Sequence, residues 1–159
     1  MSVERGAIPS THLFHVADIS VLVGDPIEVG ESGAGARRVI PILGGTVTGS
    51  RLAGRVLPGG ADFQLIRKDG VTELDARYVI ECDDTARIYV ANTGLRHGPP
   101  EAMERMRRGE PVDPGLIYFR TTPRFETGDT SYDWLTRYMF ICEGVRRPAS
   151  VHLALFQIL

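Results

Sequence analysis

Apolar and polar residues alternate through most of the chain, the signature of half-buried β-strands. His12–Val23 alternates, with Leu13, His15, Ala17, Ile19, Val21 and Val23 expected on one side. Arg37–Leu57 is rich in β-branched residues broken by Gly44, Gly45, Gly49 and Gly54, which in strands mark bulges or bends. Further strands are expected through Leu57–Tyr78, Arg87–Asn92, Leu116–Phe125, Arg137–Val145 and Ser150–Leu159. Gly24–Gly35 reads as a surface loop, and its glycines fit neither the dinucleotide nor the P-loop spacing. Met1–Ser10 reads as a loose start. One helix is expected over Pro99–Arg108, with Pro at its start, Glu101 in its first turn, Arg107 and Arg108 in its last, and Met103 and Met106 as anchors. Strands in sequence order with short links and one inserted helix predict an all-β fold. The expected architecture is an antiparallel up-and-down barrel of about eight to ten strands, closed or nearly closed. A two-sheet sandwich is the alternative.

The centre of the pattern is Leu57–Tyr78. Pro58-Gly59 suits a type II turn, and Asp69-Gly70 a two-residue type I′ hairpin turn. Counting outward from Asp69-Gly70 sets Gln64 opposite Asp75 and Asp62 opposite Arg77, so these four share one face. Phe63, Leu65, Leu74, Ala76 and Tyr78 then share the other. A two-residue turn at Asp84-Thr85 sets Arg77 opposite Asn92 and gives a polar row Asp62–Arg77–Asn92 across three strands. β-Branched Thr85 is a poor residue for the positive φ that turn needs, and a slip of one residue would reverse the faces.

Composition narrows the classes of function. At 159 residues, one barrel domain over 1–159 is the simplest reading. A net charge of −2 gives no electrostatic footprint for nucleic acid. No apolar run has membrane-spanning length, and the first residues lack the features of a signal peptide, so a cytoplasmic location is expected. Cys82 and Cys142 sit in apolar runs and read as small buried hydrophobes, although a disulfide or reactive thiol stays open. The His residues are scattered, and His12 and His15, three apart on a strand, point to opposite faces. Neither a metal nor a redox cofactor is expected.

Several runs together resemble one family: Arg38–Gly45, Leu57–Gln64, Leu74–Tyr78, Tyr118–Thr121, Phe125–Thr127 and Tyr132–Leu135. The chain from about Arg37 onward is similar to the proteins grouped as domain of unknown function 3237. Phe63 and Thr85 depart from that pattern, where Trp and Gly are associated with it. The resemblance implies a compact β-barrel with a central cavity, and a homo-oligomer is among the arrangements it implies. It does not fix an activity, because fold does not fix function.

The polar row admits two readings. As an exposed network it would contribute little. As a cavity lining it would pair polar groups with Ile66, Val79, Ile88 and Val90, a mixture typical of ligand sites. The cavity reading makes Asp62 a general acid or base, with Arg77 and Asn92 steadying charge on a substrate oxygen. Gln64, Asp75, Arg37, Tyr118, Arg120, Glu126 and Trp134 are candidate ligand contacts. The resulting expectation is a cofactor-independent enzyme doing acid–base isomerisation, cyclisation or addition on a mostly apolar carbonyl or phenolic compound. The alternatives are a non-catalytic carrier or sensor of a similar ligand, and a structural protein whose lumen is packed shut.

Overall fold

In the computed structural model, which describes residues 5–159, ten strands form one antiparallel sheet closed into a barrel. They are β1 (Leu13–Val23), β2 (Ile27–Ser32), β3 (Gly35–Thr48), β4 (Gly54–Val56), β5 (Ala61–Ile66), β6 (Thr72–Cys82), β7 (Arg87–His97), β8 (Tyr118–Thr127), β9 (Met139–Arg146) and β10 (Ser150–Ile158). β4 and β5 share one position between β3 and β6, and β2 follows β1 along the other edge of β3. The ring therefore has eight positions and closes where β1 pairs with both β10 and β3. The expected closed barrel is the observed one, and its first and last strands are neighbours.

The long strand β3 closes the ring by curving. At Gly45 φ is +154°, and a Cβ there would collide with the Ser20 carbonyl oxygen, so only glycine lets β1 lie this close. Two expectations fail locally. The Gly24–Gly35 loop contains strand β2, whose residues Ile27–Ser32 pair with the start of β3. In β1 a bulge between His15 and Ala17 breaks the alternation, turning Leu13 and His15 outward while Val16 joins Ala17, Ile19 and Val21 inside. The loose start expected over Met1–Ser10 lies in part outside the described residues, within which Arg5–Ala7 is a single 3-10 turn.

The two hairpin turns around β6 decide which side chains enter the barrel. The first is a three-residue loop, Lys68–Gly70, closed by Arg67 N–H donating to Val71 O (2.9 Å) and Gly70 N–H to Arg67 O (3.0 Å). Only Gly70 takes a positive φ, +90°. A two-residue type I′ turn would require it at Asp69 as well. Asp69 is held instead by accepting the Val71 N–H and pairing with Arg67. The second turn repeats the form over Asp83–Thr85, with Thr85 at φ 72°. Each loop is one residue longer than expected, so Asp62 faces Ala76 and Ala76 faces Asn92. The two shifts cancel between β5 and β7 but reverse the faces of β6. Leu74, Ala76 and Tyr78 point inward, while Asp75 and Arg77 point out.

The lower half of the barrel, at the β6–β7 turn, is filled with apolar side chains. Leu52, Ile80, Ile88, Leu135, Phe140 and Leu155 are no more than 1% exposed. A 3-10 segment, Thr130–Thr136, seals this end: Leu135 enters the core, Trp134 lies 6.1 Å from the Phe140 ring, and the Tyr132 hydroxyl donates to Asp84 Oδ2 (2.8 Å). At the opposite end helix α1 (Pro100–Arg107) packs Ala102 and Met106 against the rim. Arg38 ties it down, its Nη2 donating to Arg107 O at 3.0 Å.

Candidate functional site

The upper half of the lumen is polar. β5 carries Asp62 and Gln64 inward, β7 carries Asn92 and Arg96, and β8 carries Thr121. β3 adds Arg38 and β9 adds Arg146. Gln64, Asn92 and Arg96 are 3%, 4% and 5% exposed. A cavity of about 50 Å³ lies among Asp62, Gln64, Tyr78, Asn92, Arg96 and Thr121. Above it, under α1, a vestibule of about 390 Å³ is lined by Arg38 and shares Gln64 and Arg96 with the cavity below.

Asp62 sits at the centre of this arrangement. Its Oδ2 accepts from Gln64 Nε2 (2.8 Å) and its Oδ1 from the Asp75 backbone N–H (3.0 Å). The β5–β6 ladder has no pairing between Asp62–Ala76 and Leu65–Glu73, so the carboxylate serves a backbone donor inside that gap. Asp62 is half-buried and lines the inner cavity. Removal from bulk water pushes its pKa up, and the hydrogen bond from Gln64 and the charge of Arg96 only partly oppose this. Burial pulls the Arg96 guanidinium down to about 10, which still leaves it charged near neutrality. Arg146 and Arg38 are lowered by the same desolvation.

Four buried polar atoms in this lining have no hydrogen-bond partner: Gln64 Oε1, Asn92 Oδ1, Arg96 Nε and Thr121 Oγ1. Buried polar atoms are nearly always paired, so four orphans around one hollow define a place for the polar atoms of water or ligand. Asn92 can present either its oxygen or its nitrogen there, since amide orientation follows the network. Arg38 Nε lies 2.9 Å from Glu28 Oε1, an ion pair whose N–H is not aimed at the oxygen.

The residues singled out in the sequence separate into groups. Asp62, Gln64 and Asn92 meet in the lumen. Arg77 and Asp75 pair with each other on the outer wall (3.2 Å), with side chains 53% and 37% exposed. Arg77 is therefore corrected from the inner row: the longer hairpin loops turned it out and put Ala76 in its place. Arg37, Tyr118 and Arg120 line, with Asp75, a broad outer groove of about 860 Å³. That groove is larger than the lumen, but its charges are satisfied in solvent, as in Arg120–Glu143 at 3.4 Å. Glu126 is exposed on the outer face of β8. Trp134 belongs to the sealed end, beneath the Arg51 guanidinium at 3.8 Å. Sequence reasoning missed Arg38, Arg96 and Arg146. Arg96 was accessible to it, since Asn92, Gly94 and Arg96 share a face by simple alternation. Cys82 and Cys142 are free and buried, and burial pushes the Cys142 thiol up to about 12. Among the described residues no group of three or more His, Cys, Asp or Glu is placed to hold a metal ion. No helix among them is long and apolar enough to cross a membrane.

Known proteins repeat this architecture. A UPF0311 protein of Rhodopseudomonas palustris is 48% identical over 151 residues, which span 95% of this chain and 99% of the relative. A crystal structure of a conserved protein of unknown function from the same organism superposes with a TM-score of 0.89 at 46% identity, covering 96% of this chain and 99% of the other. An enzyme from Penicillium herquei shares the fold at 20% identity, with a TM-score of 0.71 and coverage of 96% and 98%. The family model described as "Protein of unknown function (DUF3237)" matches residues 11–158, and the chain belongs to that family.

Proposed function

We propose that the polar lumen binds a small, mostly apolar carbonyl or phenolic compound, and that Asp62 exchanges a proton with it. The observation that carries this reading is the half-buried, desolvated carboxylate of Asp62 beside four unpartnered polar atoms. A carboxyl whose pKa is raised by desolvation is better matched to proton transfer near neutrality than an ordinary surface Asp. Its proton would leave one carbon or oxygen of the ligand and return to another, which makes the net reaction an isomerisation, cyclisation or addition with no oxidant consumed and no cofactor called for. Asn92 faces the same hollow and would hold the developing charge on the ligand oxygen. Arg77, on the outer wall, takes no part. The likeness of fold to an enzyme from Penicillium herquei is compatible with this reading.

Asp62→Asn is the informative variant, because an amide oxygen can still accept the Asp75 N–H. Carbonyl and phenolic compounds would be incubated with the protein in D₂O and followed by NMR for exchange of acidic C–H and for product. The wild type is expected to convert a compound that Asp62→Asn still binds but leaves unchanged. A non-catalytic carrier is the second reading, favoured by the two hydrogen bonds that already hold the carboxylate. It would be supported by weaker binding in Asp62→Asn and by no exchange in either protein.

A further inference from the structure

The charges inside the barrel do not balance. Arg38 is neutralised at the rim by Glu28, 2.9 Å away, which also reaches toward Arg107 at 4.0 Å. That leaves Arg96 and Arg146 facing a single acid, Asp62. If Asp62 is ionised, the lining carries an excess of one positive charge, and if it is protonated the excess is two. Arg146 is partly relieved by donating from Nη1 to the carbonyls of Arg147 (2.7 Å) and Ser150 (3.2 Å). Arg96 has no comparable relief. Among the described residues no acceptor meets its Nε, and the Phe119 ring, 5.2 Å from its guanidinium carbon, is its aromatic neighbour. Besides Asp62, the charges that act on it are those of Arg146 and Arg38, and both repel it.

A buried, incompletely bonded arginine is costly to fold around, and an anion that accepts its hydrogen bonds removes most of that cost. The guanidinium fork suits a carboxylate in particular, two parallel N–H groups against two oxygens. The place can be reached from the mouth, because Arg96 and Gln64 line both the inner cavity and the vestibule under α1, and Arg38 lines the vestibule. The vestibule's volume of about 390 Å³ is wide enough to admit a small ligand to Arg96.

We infer that the ligand of this barrel carries a carboxylate, which docks on Arg96 at the boundary between cavity and vestibule with Arg38 beside it. This rests on the reading of the lumen as a ligand site and adds the chemical class of what enters. The carboxylate fixes the molecule from the mouth side and leaves its other end directed at Asn92, two alternation steps further down β7, and at Asp62 on β5. It also competes for Arg38, so binding is expected to loosen the Arg38–Arg107 tie that holds the last turn of α1.

The test uses benzoate and benzamide, matched in shape and different in charge. Each is titrated into the wild type and into Arg96→Gln, with affinity measured by calorimetry and arginine Nε–Hε signals followed by NMR. Benzoate is expected to bind the wild type about tenfold or more tightly than benzamide, as a charge-assisted pair would give. It should shift one buried arginine signal that is missing from the variant, where the preference should fall to about twofold or less. Equal binding of the two probes overturns the carboxylate inference and leaves the ligand site standing, as does a preference that survives in Arg96→Gln. Failure of both probes to bind overturns the inference and the ligand reading together. If Arg96→Gln does not fold, the wild-type Nε–Hε shift decides alone: perturbation by benzoate and not by benzamide supports the inference, and no difference overturns it.

Discussion

The two halves of the barrel use the same strands for opposite ends. Along the inner face of β7 the residues run Ile88, Val90, Asn92, Gly94, Arg96 from the sealed end to the mouth. Along β9 they run Phe140, Cys142, Gly144, Arg146, and β3 passes from Ile42 through Ile40 to Arg38. Each strand begins in a packed apolar core and finishes in a charged, incompletely bonded lining. Where large groups crowd, glycine makes room: a Cβ on Gly144 would lie 2.7 Å from the Phe119 ring. The difference teaches that one alternation carries both stability and site. Any slip of register would spoil the two together.

The contrast predicts a large asymmetry in stability. Phe140 is 1% exposed and packs edge-on against Phe125 at 5.2 Å, so Phe140→Ala should destabilise by about 3–5 kcal/mol. Arg96→Met removes a buried charge from the upper half and keeps its bulk. It should cost far less than Phe140→Ala, because Arg96 has no acceptor at its Nε and Arg146 still faces Asp62. Urea unfolding of both variants checks this, and a loss at Arg96→Met comparable to that at Phe140→Ala would end the division into a structural and a functional half.

The pH dependence of Asp62 sharpens the same comparison. Burial raises its folded-state pKa above the unfolded value, which is about 3.9. The folded state therefore holds the proton more tightly, so the carboxyl's favourable contribution is complete below the unfolded pKa and is lost as pH rises through the folded one. Asp62→Asn lacks this loss. Its stability relative to wild type should improve as pH is raised from about 4 toward neutrality, and unfolding midpoints over that range would show it. A constant difference across the range would mean that Asp62 is not desolvated in the lumen.

These outcomes also mark what the sequence could reveal. The barrel was legible because alternation, glycine bends and short connections are local properties. Asp62 and Asn92 could be aligned because two loop lengths, each one residue off, compensated for one another between β5 and β7. Asp75 and Arg77 were misplaced because Asp-Gly also suits a three-residue loop in which glycine alone takes the left-handed conformation. Arg37 was preferred to Arg38 for want of the register of β3, in which Arg38 faces Gln64 across β5. The grouping of Arg38, Arg96 and Arg146 comes from three strands far apart in sequence. It exists only once the ring has closed.

The smallest expected effect compares the two turns themselves, one at each end. Gly70, at φ +90°, has nothing within 4 Å of where a Cβ would stand, so Gly70→Ala adds backbone strain without a clash. That strain should cost about 1 kcal/mol. Thr85 already bears it at φ 72°, at the sealed end, where Ala86 N–H donates to Asp84 Oδ1 (3.1 Å) and the Tyr132 hydroxyl to Asp84 Oδ2 (2.8 Å). Thr85→Gly relieves the strain at the expense of a more flexible unfolded chain and should stabilise by about 0.5–1 kcal/mol. Thermal unfolding of the two variants should therefore shift in opposite directions. The lumen should be indifferent to both, since neither alters loop length or register. A Thr85→Gly protein that lost stability would show that the packed end depends on the threonine side chain for more than its place in the turn.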